Sequence, residues 1–224
     1  MYLASWSGGK DSTLAVARAL EKGVKVTGIA NFISDDYKRV RFHGTRAELI
    51  GHQAELAGFR LYQSETSATG YEDDFKAAVR ERVAEGYAGM VFGDIYLDEH
   101  RQWVERVCAE VGIEPLEPLW GEPTVKLITE FVERGFKAVI VSGMKEHLDR
   151  RWIGRTVDME FIEYMKGRPG ADPCGERGEF HTFVTGGPIF RGNIEITDSE
   201  VVERGDFWML DIKDYEVNKL SLTV

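Results

Sequence analysis

The chain has 224 residues, with 28 Lys and Arg against 38 Asp and Glu and a formal net charge of −10, a balance that argues against broad attraction to nucleic acid or to an anionic membrane face. Its two cysteines lie far apart with no paired spacing, which argues against structural zinc and a disulfide framework. No apolar run approaches the length of a membrane span and the first residues read as a strand rather than a targeting segment, so a cytoplasmic protein with one main domain and an appendage is expected.

Residues 1–6 form an apolar strand and residues 13–20 a helix. Between them stands Ser7-Gly8-Gly9-Lys10-Asp11-Ser12. Two adjacent glycines let the backbone turn sharply and approach a ligand, and the helix that follows aims its unpaired N–H groups at the same point, so the stretch is built to bind an anion such as phosphate. A plain glycine turn with a cap at Asp11 or Ser12 explains one polar residue and not the whole hexad. The kinase-type P-loop also fails, because it needs four residues between its first glycine and the Gly-Lys pair.

Residues 25–33 read as a second strand, apolar enough for burial on both faces. A polar loop follows to Gly44, then Thr45 as the cap of a helix with Ala47, Leu49, Ile50, Ala54 and Leu56 on its apolar face. A third strand spans 59–63, an amphipathic helix 71–86, a fourth strand 89–93 and a helix 99–111. The proline-rich stretch 114–123 reads as an extended crossing segment, followed by a helix over 125–134 and a strand over 137–142. Alternation of this kind predicts an α/β fold, a doubly wound, Rossmann-like parallel sheet. The expected parts are 1–118 for nucleotide and 119–224 for substrate, with strand 137–142 able to return to the first sheet. The second part is α+β: a short helix at 161–166, strands at 181–185 and 207–212, and a hairpin signal at Gly186-Gly187.

Ligands of such sheets lie beyond the carboxyl ends of the strands. After the second strand come Ala30 and Phe32, which by themselves read equally as core. Further on are His43 and Arg46, the latter able to clamp phosphate or carboxylate, or equally a solvated helix end. Gly93 permits close backbone approach, and Asp94 beside it can hold magnesium or a substrate group. Cys108 shares a helical stripe with His100, Val104 and Val107 and reads as a buried small side chain.

The hexad resembles the PP-loop of the N-type ATP pyrophosphatases at each specified place of Ser-Gly-Gly-x-Asp-Ser. That resemblance implies an adenine nucleotide alpha hydrolase-like fold and ATP as cofactor. It implies that Ser7, Gly8, Gly9, Lys10, Asp11 and Ser12 hold the pyrophosphate, that adenine lies at Ala30 and Phe32, and that Asp11 and Asp94 place Mg2+. The loop 172–183 then resembles the diphthine-ammonia ligase family through Glu176, Gly178, Glu179, Phe180 and Thr182. The implied reaction adenylates diphthine on translation elongation factor 2 and displaces AMP with ammonia. Catalytic roles fall to Lys10, Asp11 and Asp94, nucleotide contacts also to His43, Arg46 and Gly93, and substrate contacts to Asp94, Glu176, Glu179 and His181. Arg177 and His181 depart from the family motif and add positive charge beside a site expected to meet a quaternary ammonium. No stretch is spare for a glutaminase unit, so free ammonia or a partner's ammonia is the expected nitrogen source; no nucleic acid or membrane partner is expected, and a homodimer is left open. Two rival readings stand beside this one: a tRNA-thiolating PP-loop enzyme using Cys174, and an ATP-binding regulator without turnover.

Overall fold

β1 (Tyr2–Ser5) owes its place at the middle of a sheet to Leu3 and Ala4, both fully buried. In the computed structural model, which describes residues 1–34, 40, 44–67 and 69–220, it is flanked on one side by β2 (Val26–Ser34) and β3 (Arg60–Thr66). On the other side lie β4 (Gly89–Val91) and β5 (Glu114–Leu116). The order is β3-β2-β1-β4-β5 and every pairing is parallel.

α1 (Lys10–Glu21) and α2 (Ala47–Ala57) join the first three strands, while α3 (Tyr71–Ala84) and α4 (Asp98–Val111) serve β4 and β5. The strand order therefore reverses beside β1, and right-handed crossovers send the two helix pairs to opposite faces. The core is divided accordingly. Leu14, Leu49 and Ile50 of α1 and α2 belong to one apolar cluster, whereas Phe75, Val79, Val104, Val107 and Cys108 of α3 and α4 belong to another. A crevice opens at the carboxyl ends of β1 and β4, where these layers part.

Two expectations need correction and one left open is resolved. The proline-rich stretch supplies the fifth strand of the sheet, which Pro115 tolerates because β5 lies at the edge and a missing N–H there breaks no inner ladder. Strand 137–142 does not return to that sheet. As β6 (Lys137–Met144) it pairs antiparallel with β7 (Phe180–Gly186) and β9 (Phe207–Lys219), and with β8 (Gly192–Arg204) these four close on themselves. α5 (Thr124–Glu133) and α6 (Met159–Lys166) pack against each other, and Phe161 of α6 meets Phe180 of β7 edge-on at 4.9 Å. Thr45 is not the cap of α2 either; Arg46 holds that position, with no side-chain cap.

The closed sheet is not an independent neighbour of the first. Phe136, Ile140, Phe183 and Val184 share one buried cluster with Leu14, Ile50 and Leu56, and Val184 donates its N–H to the Gly8 carbonyl at 2.8 Å. Among the described residues no helix is long and apolar enough to cross a membrane.

Candidate functional site

The hexad turns from β1 into α1 with Gly9 as the helix N-cap. Gly8 has φ +81°, in the left-handed region, and a Cβ there would sit 2.5 Å from Ile50 Cδ1 and 2.8 Å from Gln53 Oε1, so both conformation and space require glycine. The hydroxyls of Ser7 and Ser12 lie 3.3 Å apart. Ser7 Oγ accepts from Gly9 N, and the Ser12 and Thr13 hydroxyls donate back to the Gly9 carbonyl. The result is a tight glycine turn at the positive end of α1, and a helix start of this kind favours phosphate oxygens.

Gln53 fixes this loop and was not singled out in the sequence. Its side chain accepts from Trp6 Nε1 at 2.8 Å and donates to the carbonyls of Gly8 and Val184 at 3.0 and 2.6 Å. A polar residue inside the otherwise apolar stripe of Ile50, Ala54 and Leu56 was the available signal. We predict that Gln53→Met, similar in volume but unable to make these bonds, costs about 1–3 kcal/mol by leaving buried polar groups unpaired. Urea denaturation followed by tryptophan fluorescence would measure it, and an unchanged midpoint would refute this role.

Lys10 is 3 % exposed. Its N–H donates to Thr182 Oγ1 at 3.0 Å, and its Nζ donates to Asp11 Oδ2 at 2.8 Å and to the Cys174 carbonyl, over the Phe180 ring. Burial works against the ammonium, yet the negative groups around it, Asp11 first, hold its pKa above the ordinary lysine value. Lys10 therefore stays charged. Across the crevice, Gly93 presses against α1 so closely that a Cβ would lie 2.8 Å from Ser12 N and 2.9 Å from the Asp11 carbonyl carbon.

Asp94, His100 and Glu176 converge beside this contact, their ligand atoms within 4.8 Å of one another. His100 Nδ1 is 3.1 Å from Asp94 Oδ1, and Glu176 Oε1 accepts from Ile95 N at 2.8 Å. The Asp94 bond raises the His100 pKa. Burial, followed by the negative charges of Asp11 and Asp94, pushes the Glu176 carboxyl up to about 7. Since the folded chain then holds this proton more tightly than the unfolded chain, stability falls as pH rises between the ordinary glutamate value and about 7. Glu176→Gln keeps the acceptor for Ile95 and removes the charge. With a chelator present, its melting temperature should exceed that of the parent at pH above about 7, and the gap should close in mildly acidic buffer; parallel melting curves would contradict this.

Behind Asp94 lies a cavity of about 320 Å3 whose walls include Tyr71, Phe75, Phe92, His100 and Trp103. Tyr71 and Trp103 stack at 6.0 Å. Glu72 ties the two helices of this wall together, accepting from Trp103 Nε1 at 2.9 Å and from both terminal nitrogens of Arg106. The cavity has the aromatic lining and size of a small-molecule site.

Ser7 to Ser12, Gly93, Asp94 and Glu176 are thus brought to one place. Other expected residues stand elsewhere. Ala30 and Phe32 are buried core, Phe32 packing behind the cavity wall against Phe75 and Tyr71 at 5.1 and 5.8 Å. Arg46 pairs with Glu48 at 3.0 Å and lies over the Tyr215 ring of β9. His43 falls outside the described residues. Glu179 is 2 % exposed and turned inward, accepting from Asp172 N, Arg177 N and Arg177 Nε. It shapes the loop through these bonds and forms an ion pair with Arg177. Phe180 and Thr182 face Lys10, and strand alternation directs His181 to the other face of β7.

Both thiols are buried. Cys108 is fully buried and burial pushes it up to about 12. Cys174, 1 % exposed, donates to the Thr124 carbonyl, and burial holds its pKa well above the ordinary thiol value. His100 was the residue the sequence undersold: it continues the stripe of Val104, Val107 and Cys108 but stands at the exposed end of it, beside Asp94.

Comparison with known proteins adds the following. A family model described as diphthamide synthase N-terminal domain matches residues 2–115, and one described as diphthamide synthase C-terminal domain matches residues 123–221. The chain is similar to a protein of Danio rerio named diphthine-ammonia ligase, 27 % identical over 223 residues, covering 89 % of this chain and 88 % of that one. A Homo sapiens protein of the same name is 28 % identical over 220 residues, covering 88 % and 82 %. One from Schizosaccharomyces pombe is 25 % identical over 230 residues, covering 92 % of this chain and 38 % of that protein. A solved structure, titled as a predicted subunit of tRNA methyltransferase from Methanocaldococcus jannaschii DSM, aligns with 84 % of this chain and 97 % of that one, at 15 % identity and a TM-score of 0.43, too low to speak to activity.

Proposed function

The chain belongs to the diphthamide synthase family, and on that premise we propose that it is an ATP-dependent amide ligase that adenylates the carboxylate of diphthine on translation elongation factor 2 and amidates it with ammonia. One observation supports this reading above others: the phosphate cradle and the acidic loop are a single site. Lys10 bonds to Thr182 through its backbone and to the Cys174 carbonyl through its side chain, so the residue that meets pyrophosphate is seated on the loop that carries Glu176. In this reading residues 1–118 hold the nucleotide and residues 119–224 present the acid.

The substrate carboxylate oxygen attacks the α-phosphorus, the bond to the bridging oxygen breaks, and pyrophosphate departs with the electron pair. Negative charge grows on the leaving group at the positive end of α1, where the Lys10 ammonium exchanges its bonds to Asp11 and the Cys174 carbonyl for phosphate oxygens and offsets that charge. Ammonia then attacks the acyl carbon, AMP leaves, and the nitrogen loses a proton to give the amide. The aromatic cavity beside Asp94 takes the nucleoside, with Tyr71 and Trp103 as its walls. Magnesium carried by the triphosphate supplies further neutralisation of phosphate charge. Asp11 and Asp94, oxygen donors near enough to Glu176 to raise its pKa, suit that ion.

The test is to incubate the protein with ATP, magnesium, ammonium and the diphthine form of the factor, then weigh the factor and the nucleotides. We expect conversion of carboxylate to amide with one AMP and one pyrophosphate formed per conversion. Retained ATP binding with no mass change would reassign the acid, and AMP formation dependent on tRNA would favour the thiolation reading, which the buried Cys174 disfavours.

A further inference from the structure

We propose that Asp94, His100 and Glu176 form a protein-held site for a first-row transition-metal dication, distinct from the magnesium that arrives with ATP and sharing with it only the Asp94 carboxylate. The three side chains come from three parts of the fold: the loop after β4, the first turn of α4, and the 172–179 loop. Their ligand atoms already lie within 4.8 Å of one another. Ligands of one ion at ~2.1 Å stand ~3 Å apart, so closure needs side-chain movements of the order of an ångström. His100 and Asp94 have 55 % and 22 % of their side chains exposed, which leaves room for that adjustment.

Two of the three ligands are oriented from behind. Ile95 N–H holds Glu176 Oε1, while the Glu176 backbone N–H reaches Asp172 Oδ1 at 3.3 Å. Asp94 follows Gly93, whose contact with the α1 backbone fixes where the loop turns. Such outer contacts set the aim of metal ligands. Local charge also calls for a cation. Asp94 and Glu176 are within electrostatic reach of Asp11, and Lys10 is already paired with Asp11.

The donor set decides which cation. Magnesium takes oxygen ligands and keeps its waters, whereas an imidazole beside two carboxylates suits manganese, iron or zinc. The Nδ1 to Oδ1 contact of His100 and Asp94 is where the ion replaces a proton. Three protein ligands leave positions open, and because Asp94 and His100 also line the cavity of about 320 Å3, those positions face the space assigned above to the nucleoside. The consequence is a Lewis-acidic centre belonging to the protein and present before nucleotide binds.

The experiment uses the full chain without nucleotide, factor or ammonium, so its outcome does not depend on which acid is adenylated. Mn2+ binding is followed by electron paramagnetic resonance and Zn2+ binding by calorimetry, with Mg2+ as competitor. We expect one equivalent of Mn2+ or Zn2+ bound, displaced by Mg2+ only at ~100-fold excess or more, and weakened ~10-fold or more in His100→Gln and Glu176→Gln. Because His100 lies on the surface of α4, its variant should keep the parent's melting behaviour, which circular dichroism checks. No binding of either ion, equal competition by Mg2+, or unchanged affinity in both folded variants would overturn the proposal.

Discussion

Lys10→Ala should slow the acid-dependent exchange of pyrophosphate into ATP on the order of a hundredfold, the usual effect of removing one donor aimed at developing charge. Lys10 is a buried ammonium kept charged by Asp11 and poised under the hexad, and no other cation is bonded there among the described residues. It also supports structure, since its Nζ holds the Cys174 carbonyl. The variant must therefore be examined by thermal melting as well as by exchange. Asp11 retains 31 % side-chain exposure, so water can solvate it once its partner is gone, and the fold should survive with a lowered melting temperature. A folded Lys10→Ala protein that exchanged pyrophosphate at the parent's rate would remove Lys10 from the mechanism.

Gly93→Ala is expected to be as damaging for a different reason. Its backbone is not in the left-handed region, so the substitution brings no dihedral strain; the obstacle is space. The new methyl would lie 2.8 Å from Ser12 N and 2.9 Å from the Asp11 carbonyl carbon, and backbone atoms at a helix start cannot swing aside as a side-chain tip can. α1 or β4 must shift, and a misplacement of the order of 1 Å in a positioned site costs about a hundredfold in rate. Overpacking adds about 1–3 kcal/mol of destabilisation. Calorimetric titration with ATP and the exchange assay read the first effect, and denaturation reads the second. Gly51→Ala is the control, because its nearest neighbour would be 3.9 Å away within α2; equal behaviour of the two variants would show that the close approach at Gly93 does not matter.

The first four strands and their helices could be read from the sequence because a parallel sheet writes itself locally, as apolar runs separated by amphipathic helices. β5 was missed because Pro115 argues against a strand unless its edge position is known. β6 was left between two sheets because antiparallel closure with β7 and β9 is a matter of long-range register, invisible in any window of the chain. The site shows the same division. The hexad was legible since its chemistry lies in consecutive residues. Glu176 and Glu179 were not distinguishable, although one reaches into the crevice and the other shapes the loop from within, because that difference arises from which backbone N–H groups each carboxylate meets. Arg177 and His181 looked like intrusions of positive charge for the same reason. Their effect depends on direction, and direction came only with the Arg177 to Glu179 pair and the alternation of β7.

The bond from Val184 N–H to the Gly8 carbonyl, shared with Gln53, limits how this architecture can be recombined. A nucleotide module taken from the first half alone would lose the strand that steadies its own anion loop. A different acceptor module grafted after β5 would have to supply a strand at the same height as β7, offering one N–H to the loop and one carbonyl to Gln53 of α2. Divergence toward new acids is therefore easier by rewriting the 172–179 loop within this frame than by exchanging the half of the chain that bears it.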